Sequence, residues 1–472
     1  MVQILLIIIF VAMHLAEEPG DWRLVHWSAP ATFAMAAAPL LVMAMLVEAA
    51  SRRAARAMDE RGHLRPFIAA EALAGRVRIL GLLWYVGAMT SGGWVAVATG
   101  LGEGVLLGPE LLVLLPPVAY LAAPWWSLYP LEVRVREAML FRQLSSGAPV
   151  YEIPTRVQFV LGLVRHQALL VVTPMLLVAL WDDVVNLVSA RVDATWWHAA
   201  EPAVRWAGLL VVLLMSPVVL KAVWSTVLIR GGPLAERMHE MCRLHGVRIR
   251  GPYLWRTHGA MVNGAVLGAF WPMRYLLLTD ALLERLDSLQ VEGVLAHEVA
   301  HVKRRHLPWL AVCVVACVLA AGWVASIGLH AADVDDASGM VGMGVSLGML
   351  AFAALAFGWV SRRFEWQADA FAVAHLSATR DSATVTALAA SVMESALGRV
   401  AELNGVPTSR FSFRHGSILE RQRRLNALVG VDLARLPIDR SVRRIKATSV
   451  VVGLLGAAPF VWEWWTGTPL GL

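Results

Sequence analysis

The stretch AHEVAHVKRRH, residues 296–306, holds His297, Glu298 and His301 within five residues. On a helix, positions four apart project from one face, so both imidazoles can point a neutral nitrogen at a single metal ion. Glu298 then stands about 100° round from His297, beside the ion and not on it, where a carboxylate can take a proton from water. Such an H-E-x-x-H arrangement arises by chance in roughly one chain in fifty of this size and histidine content, so it needs support from elsewhere. A zinc site open for catalysis takes three protein ligands. A third histidine ten residues after His297 would fall at Leu307, and His306 lies about 180° round the helix from His297, so neither position supplies the ligand.

A carboxylate is the other solution. RRFEWQADAFA, residues 362–372, carries Glu365 and Asp369 at a spacing of four, on one helix face. Glu365 can bind the metal, and Asp369 can accept a hydrogen bond from the far nitrogen of a ligating histidine and so fix its tautomer. What lies between the two motifs brings them together. The runs 307–329 and 341–360 are each apolar enough to cross a hydrocarbon layer ~30 Å thick. As an antiparallel hairpin they return the chain to the face it left, so His301 and Glu365 emerge on the same side.

The hairpin belongs to a wider pattern. With 58% hydrophobic and only 16% charged residues, the chain is too apolar for a soluble domain, where charge runs near ~25%. Further apolar runs lie at 28–49, 79–100, 105–125, 157–181 and 206–229, with weaker ones at 2–16 and 449–465. Arginine is retained on the cytoplasmic side of short loops. Segment 50–78, with Arg52, Arg53, Arg56, Arg61, Arg65, Arg76 and Arg78, and segment 126–156, with Arg134, Arg136, Arg142 and Arg156, therefore belong inside. The acidic connections, with Glu17 and Glu18, Glu103, Asp182 and Asp183, and Asp333 to Asp336, belong outside.

Counting crossings places the polar regions 230–306 and 361–447 at the cytoplasmic face of a plasma membrane. The expected organisation is an N-terminal membrane region of about six helices over 1–229, a first polar part over 230–306, a transmembrane hairpin over 307–360, a second polar part over 361–447, and a last candidate span within 448–472. The net charge of +6 needs no nucleic-acid partner, because basic membrane-protein loops account for it. Tryptophans at 125–126, 196–197 and 464–465 suit membrane interfaces. Of three cysteines, Cys313 and Cys317 fall in a membrane run and Cys242 in a helical stretch, which argues against a disulfide framework or a thiolate metal site.

The polar region before the motif has a pattern of its own. PLAERMHEMCRLH, residues 233–245, spaces Leu234, Met238, Met241 and Leu244 as one face of a helix that ends at Gly246. VRIRGPYLW and AMVNGAVLGAF read as strands, and YLLLTDALLERL as a strand running into a helix capped near Thr279 or Asp280. The fold class expected is mainly α: a polytopic transmembrane helical protein with a small α+β, zincin-like catalytic domain.

VLAHEVAHVKRRH, FEWQADAFA, MVNGAVLG and RHGSILERQRRL together make residues from about 230 to 430 resemble the zinc metallopeptidases of the type 1 CAAX prenyl protease and the heat-shock membrane protease HtpX. The resemblance implies one zinc ion on His297, His301 and Glu365, with Glu298 as general base. It implies that Asn263, Gly264 and Ala265 begin an edge strand along which a substrate backbone lies, although Gly264 stands where the family has alanine. His415 and Arg421 match a histidine placed to stabilise an oxyanion and an arginine that supports the metal site. The proline pair that follows the histidine in the family is replaced by Gly416 and Ser417. His306 is matched as well and is read as structural.

The expected activity is that of an integral-membrane zinc endopeptidase acting on membrane-associated or lipidated proteins. A signalling metalloprotease of the beta-lactam-sensor type also carries a cytoplasmic H-E-x-x-H, but Glu365 within EWQAD, Asn263 and the His415 to Arg421 spacing favour the first reading. A non-catalytic scaffold or transporter with a degenerate zinc fold would place ionisable groups along its spans. Here Arg165 and Lys221 sit near the ends of their runs, and the ligand set is complete.

Overall fold

A computed structural model describes residues 27–62, 65–89, 92–146, 152–259, 261–331 and 339–466, together with Leu6, Ile9 and Met13. The run at 2–16, apart from those three residues, and the acidic connection at 332–338 lie outside the described residues. The chain divides into two units, Met1–Trp224 and Ser225–Leu472.

The first unit is helical, with α1 (Ala29–Arg61), α2 (Arg65–Met89), α3 (Trp94–Gly102), α4 (Gly108–Ser146), α5 (Arg156–Leu163), a π-helical turn at Val164–Ala168, α6 (Leu169–Ser189) and α7 (Thr195–Val223). Prolines inside its helices shape the packing. Pro39 in α1 and Pro117 in α4 lack the N–H that would bond the carbonyl four residues earlier. Both released carbonyls find donors on α2: Trp84 Nε1 donates to the Met35 carbonyl at 3.0 Å, and the Tyr85 hydroxyl donates to that of Val113. The fully buried Tyr120 donates to the Ala36 carbonyl at 2.6 Å. Neighbouring helices thus satisfy backbone groups that no water reaches in a bilayer.

Six helices among the described residues are long and apolar enough to cross a membrane: Ala29–Glu60, Gly108–Ala138, Arg156–Ser189, Thr195–Val223, His306–His330 and Gly344–Ala378. The run at 79–100 is not carried by one helix. α2 stops at Met89, and Gly93, in the left-handed region at φ 78°, breaks the path before α3.

The second unit contains β1 (Thr226–Leu228), α8 (Pro233–Leu244), β2 (Pro252–Trp255), β3 (Gly264–Leu267), β4 (Tyr275–Thr279), α9 (Asp280–Arg285), α10 (Ser288–Lys303), α11 (His306–Ala331), α12 (Gly339–Ala378), α13 (Ala387–Leu403), α14 (Ile418–Asn426) and α15 (Pro437–Thr466). The sheet order is β1-β2-β4-β3, with β2 and β4 parallel and the outer pairs antiparallel. β4 is buried at every position and β3 lies at an edge. β1 takes the end of the run at 206–229, because a short apolar stretch with β-branched residues reads alike as strand or buried helix. α15 carries the run at 449–465 and is not among the six long apolar helices.

Two features of this unit position the site. Asp287 caps α10 in a reciprocal pair with Gln290, which sets where the helix begins and hence which face carries His297 and His301. One core then joins Leu295 and Val299 of α10 to Leu276 and Leu278 of β4 and to Val373 and Leu376 of α12. α12 has 40 residues, ~60 Å at the usual rise and about twice a hydrocarbon thickness, so one helix carries both an apolar span and Glu365.

Candidate metal centre and active site

α10 presents His297 and His301 one turn apart, with their Nε2 atoms 3.2 Å from each other. α12 brings Glu365 against them: one of its oxygens lies 3.5 Å from His297 Nε2 and the other 3.7 Å from His301 Nε2. Among the described residues these three form a group that can hold a metal ion, with their ligand atoms within 4.8 Å of one another.

Behind His297 stands a buried ion pair. His297 Nδ1 is 2.9 Å from Asp369 Oδ1. Arg421, on α14, grips Asp369 with two hydrogen bonds, Nε to Oδ2 at 2.8 Å and a terminal nitrogen to Oδ1 at 2.6 Å. Its other terminal nitrogen lies 3.4 Å from Glu365. Burial works against a charge on His297, but Asp369 and Glu365 outweigh it and lift the imidazole to about 10. Burial likewise opposes the charge on Arg421, and Asp369 overcomes it, holding the guanidinium above its ordinary range. His301 has no carboxylate behind it. Burial drives it well below its usual value, against the pull of Glu365.

Glu298 follows His297 and runs beneath β3. A Cβ built on Gly264 would meet Glu298 Cγ at 3.1 Å, and Leu278 and Val294 at 3.3 Å. Glycine in place of the family's alanine therefore lets the strand pass close over Glu298. Burial pushes the Glu298 carboxyl up, against the pull of His297. Asn263, just ahead of β3, is tied to the end of β4: its N–H donates to Thr279 Oγ1 at 2.9 Å and its carbonyl accepts from the Thr279 N–H at 3.0 Å.

His415 reaches the cluster from the turn before α14, with Nδ1 3.1 Å from Glu365 Oε1 and its side chain 46% exposed. Ser412 and Gly416 exchange both backbone hydrogen bonds across this turn, at 2.8 and 3.0 Å. Gly416 adopts φ 75°, which proline cannot, and its N–H is in use. Ser417 caps α14 by accepting from the Glu420 N–H at 3.2 Å. The two departures from the proline pair thus serve the turn present here.

Of the groups behind His301, the sequence marked only His306, as structural. His306 Nδ1 lies 2.9 Å from His301 Nδ1, and its Nε2 lies 2.9 Å from Gln367 Oε1. The ring stacks on Phe364 at 4.5 Å. Gln367 Nε2 donates to Asp439, at the start of α15, and Arg304 holds the other Asp439 oxygen at 3.1 Å. The one signal in the sequence was the matched histidine at 306; Gln367 and Asp439 carried none.

No curated protein matches the chain significantly. Among solved structures, the crystal structure of S. mikatae Ste24p aligns over 83% of this chain and 98% of that one, at 11% identity and a TM-score of 0.35. The model of peptidase family M48 matches residues 234–429, a segment that holds every side chain of the cluster from His297 to Arg421. Residues 234–429 thus form a peptidase family M48 domain.

Proposed function

We propose that this chain is an integral-membrane zinc endopeptidase that hydrolyses peptide bonds of membrane-associated or lipidated proteins at the cytoplasmic face of the plasma membrane. The observation that carries the reading is the convergence of two imidazole Nε2 atoms and one carboxylate. Ligands around a tetrahedral zinc ion at about 2.0–2.1 Å stand roughly 3.3 Å from each other. The spacings of 3.2, 3.5 and 3.7 Å between His297, His301 and Glu365 suit that ion. In this reading residues 230–306 and 361–447 form the peptidase domain around the hairpin 307–360, and residues 1–229 form an N-terminal membrane region.

His297, His301 and Glu365 would hold the zinc ion, which would supply Lewis acidity to the scissile carbonyl and to a water. Glu298 takes the proton of the attacking water and passes it to the leaving amine nitrogen as the C–N bond breaks. Its raised pKa suits a base that must hold the proton between the two transfers. His415, beside Glu365 and half exposed, donates to the carbonyl oxygen as it gains charge. β3 has β4 on one side only, and its outer edge can pair with an extended substrate at Asn263, Gly264 and Ala265. A membrane tether suits substrates held at the same surface, because it raises their effective concentration.

The test is zinc content together with cleavage of casein and of a membrane-anchored reporter by detergent-purified protein, wild type beside Glu298→Gln. Near-stoichiometric zinc in both, with cleavage reduced at least about 100-fold in the variant, is the expected result. Wild-type protein that takes up no stoichiometric zinc overturns the reading.

A further inference from the structure

We infer that Gln367 and Asp439 are positioning residues that act through His306 to hold His301 in the tautomer able to bind a metal; the inference rests on the zinc reading above. The direction of every hydrogen bond in the chain follows from its far end. Asp439 is held by Arg304 at 3.1 Å, and a carboxylate only accepts. The group that Gln367 turns toward Asp439 must therefore be its amide NH2, which leaves Oε1 facing His306. An amide oxygen only accepts, so His306 carries its hydrogen on Nε2 and has a bare Nδ1. The bare Nδ1 lies 2.9 Å from His301 Nδ1, which must be the donor. His301 Nε2 is then left with a free lone pair, on the side where His297 Nε2 lies at 3.2 Å and Glu365 at 3.7 Å.

The arrangement is built to hold. His306 and Gln367 are both buried, and the His306 ring is clamped flat on Phe364, with 9° between the planes. At buried His306 and Gln367 no ring flip or amide flip is available without losing a hydrogen bond. Asp439 belongs to the first turn of α15 and lies far along the chain from α10, so the relay ties a ligand of the metal to the C-terminal helix.

The chain can be reversed by one isosteric change. In Asp439→Asn, keeping the bond from Arg304 turns the new amide oxygen to Arg304 and its NH2 to Gln367. Gln367 then turns its oxygen outward and its NH2 toward His306, and the hydrogens on His306 and His301 move to the opposite nitrogens. His301 Nε2 becomes an N–H and no longer binds metal. Adding Gln367→Glu to Asp439→Asn places a pure acceptor between the new amide and His306 and restores the original direction.

The experiment measures zinc affinity by competition with a chromophoric chelator, and the visible spectrum of the cobalt(II) form, on purified full-length protein. Thermal unfolding of the metal-free proteins serves as a check on folding. Asp439→Asn should weaken zinc binding about 10–100-fold, as should Gln367→Met, which removes the acceptor; the double variant should return to within about threefold of wild type. Asp439→Asn or Gln367→Met binding zinc as tightly as wild type, or a folded double variant no tighter than Asp439→Asn, overturns the inference. Wild-type protein that binds no zinc overturns the proposed function instead, so the two failures are distinct.

Discussion

His297 and His301 stand one turn apart on α10 and offer the same atom, Nε2, to the same point, yet their surroundings differ. Behind His297 is a carboxylate, Asp369, clamped by two hydrogen bonds from Arg421. Behind His301 is a neutral relay of His306 and Gln367, with its charges removed to Asp439 and Arg304. The first arrangement supplies charge as well as orientation, and it keeps a proton on metal-free His297. The second supplies orientation alone. A buried site that gathered a carboxylate behind each histidine, beside Glu365 and Glu298, would need more compensating cations than Arg421 and protonated His297 provide.

Removing Arg421 should break the comparison most severely. Arg421→Met leaves Asp369 and Glu365 buried without their guanidinium, and metal-free protein should lose about 3–5 kcal/mol in chemical denaturation, with stoichiometric zinc uptake gone. A loss confined to zinc affinity would show that the two carboxylates tolerate burial without it. Asp369→Asn is gentler, because an amide oxygen at the Oδ1 position still faces His297 Nδ1 and one terminal nitrogen of Arg421, and only the bond from Arg421 Nε is lost. Zinc affinity should fall about 10–100-fold in chelator competition while the protein stays folded, and an unchanged affinity would remove Asp369 from the metal site.

Proton release sharpens the contrast further. His297, lifted to about 10, is protonated throughout the neutral range, whereas His301, driven well below its usual value, is already neutral. Zinc must displace the proton from His297 alone, so affinity rises with pH. Calorimetry in buffers of different ionisation enthalpy should count about one proton released per zinc across roughly pH 5 to 7. Two ordinary imidazoles would instead release an increasing number as pH falls through about 6.5. The smallest effect should come from Gly264→Ala, which touches neither histidine. Its methyl group presses on Glu298 at 3.1 Å, and kcat/KM should drop by less than about tenfold with zinc affinity unchanged.

Much of this was legible in the sequence wherever a helix repeats locally. The spacing of His297 to His301 and of Glu365 to Asp369 states which side chains share a face, and α10 and α12 carry them so. The apolar runs at 307–329 and 341–360 were legible for the same reason, being continuous and local. Short-range signals failed where one residue type serves two structures. Thr226–Leu228 continues an apolar run and forms a strand, and the run at 79–100 hides the helix break before Trp94.

The sequence by itself determined the membrane character, the candidate ligand types and their pairing on helix faces, because composition and a period of 3.6 residues are properties of neighbours along the chain. Only the tertiary structure decided what stands behind each ligand. Gln367 lies two residues from Glu365, nearly opposite on the same helix, and Asp439 sits on a separate helix with nothing in its local sequence to mark it. Hydrogen-bond direction is passed from Arg304 and Asp439 to His301 through space, and no local pattern encodes it; it exists only once α10, α12 and α15 are packed together.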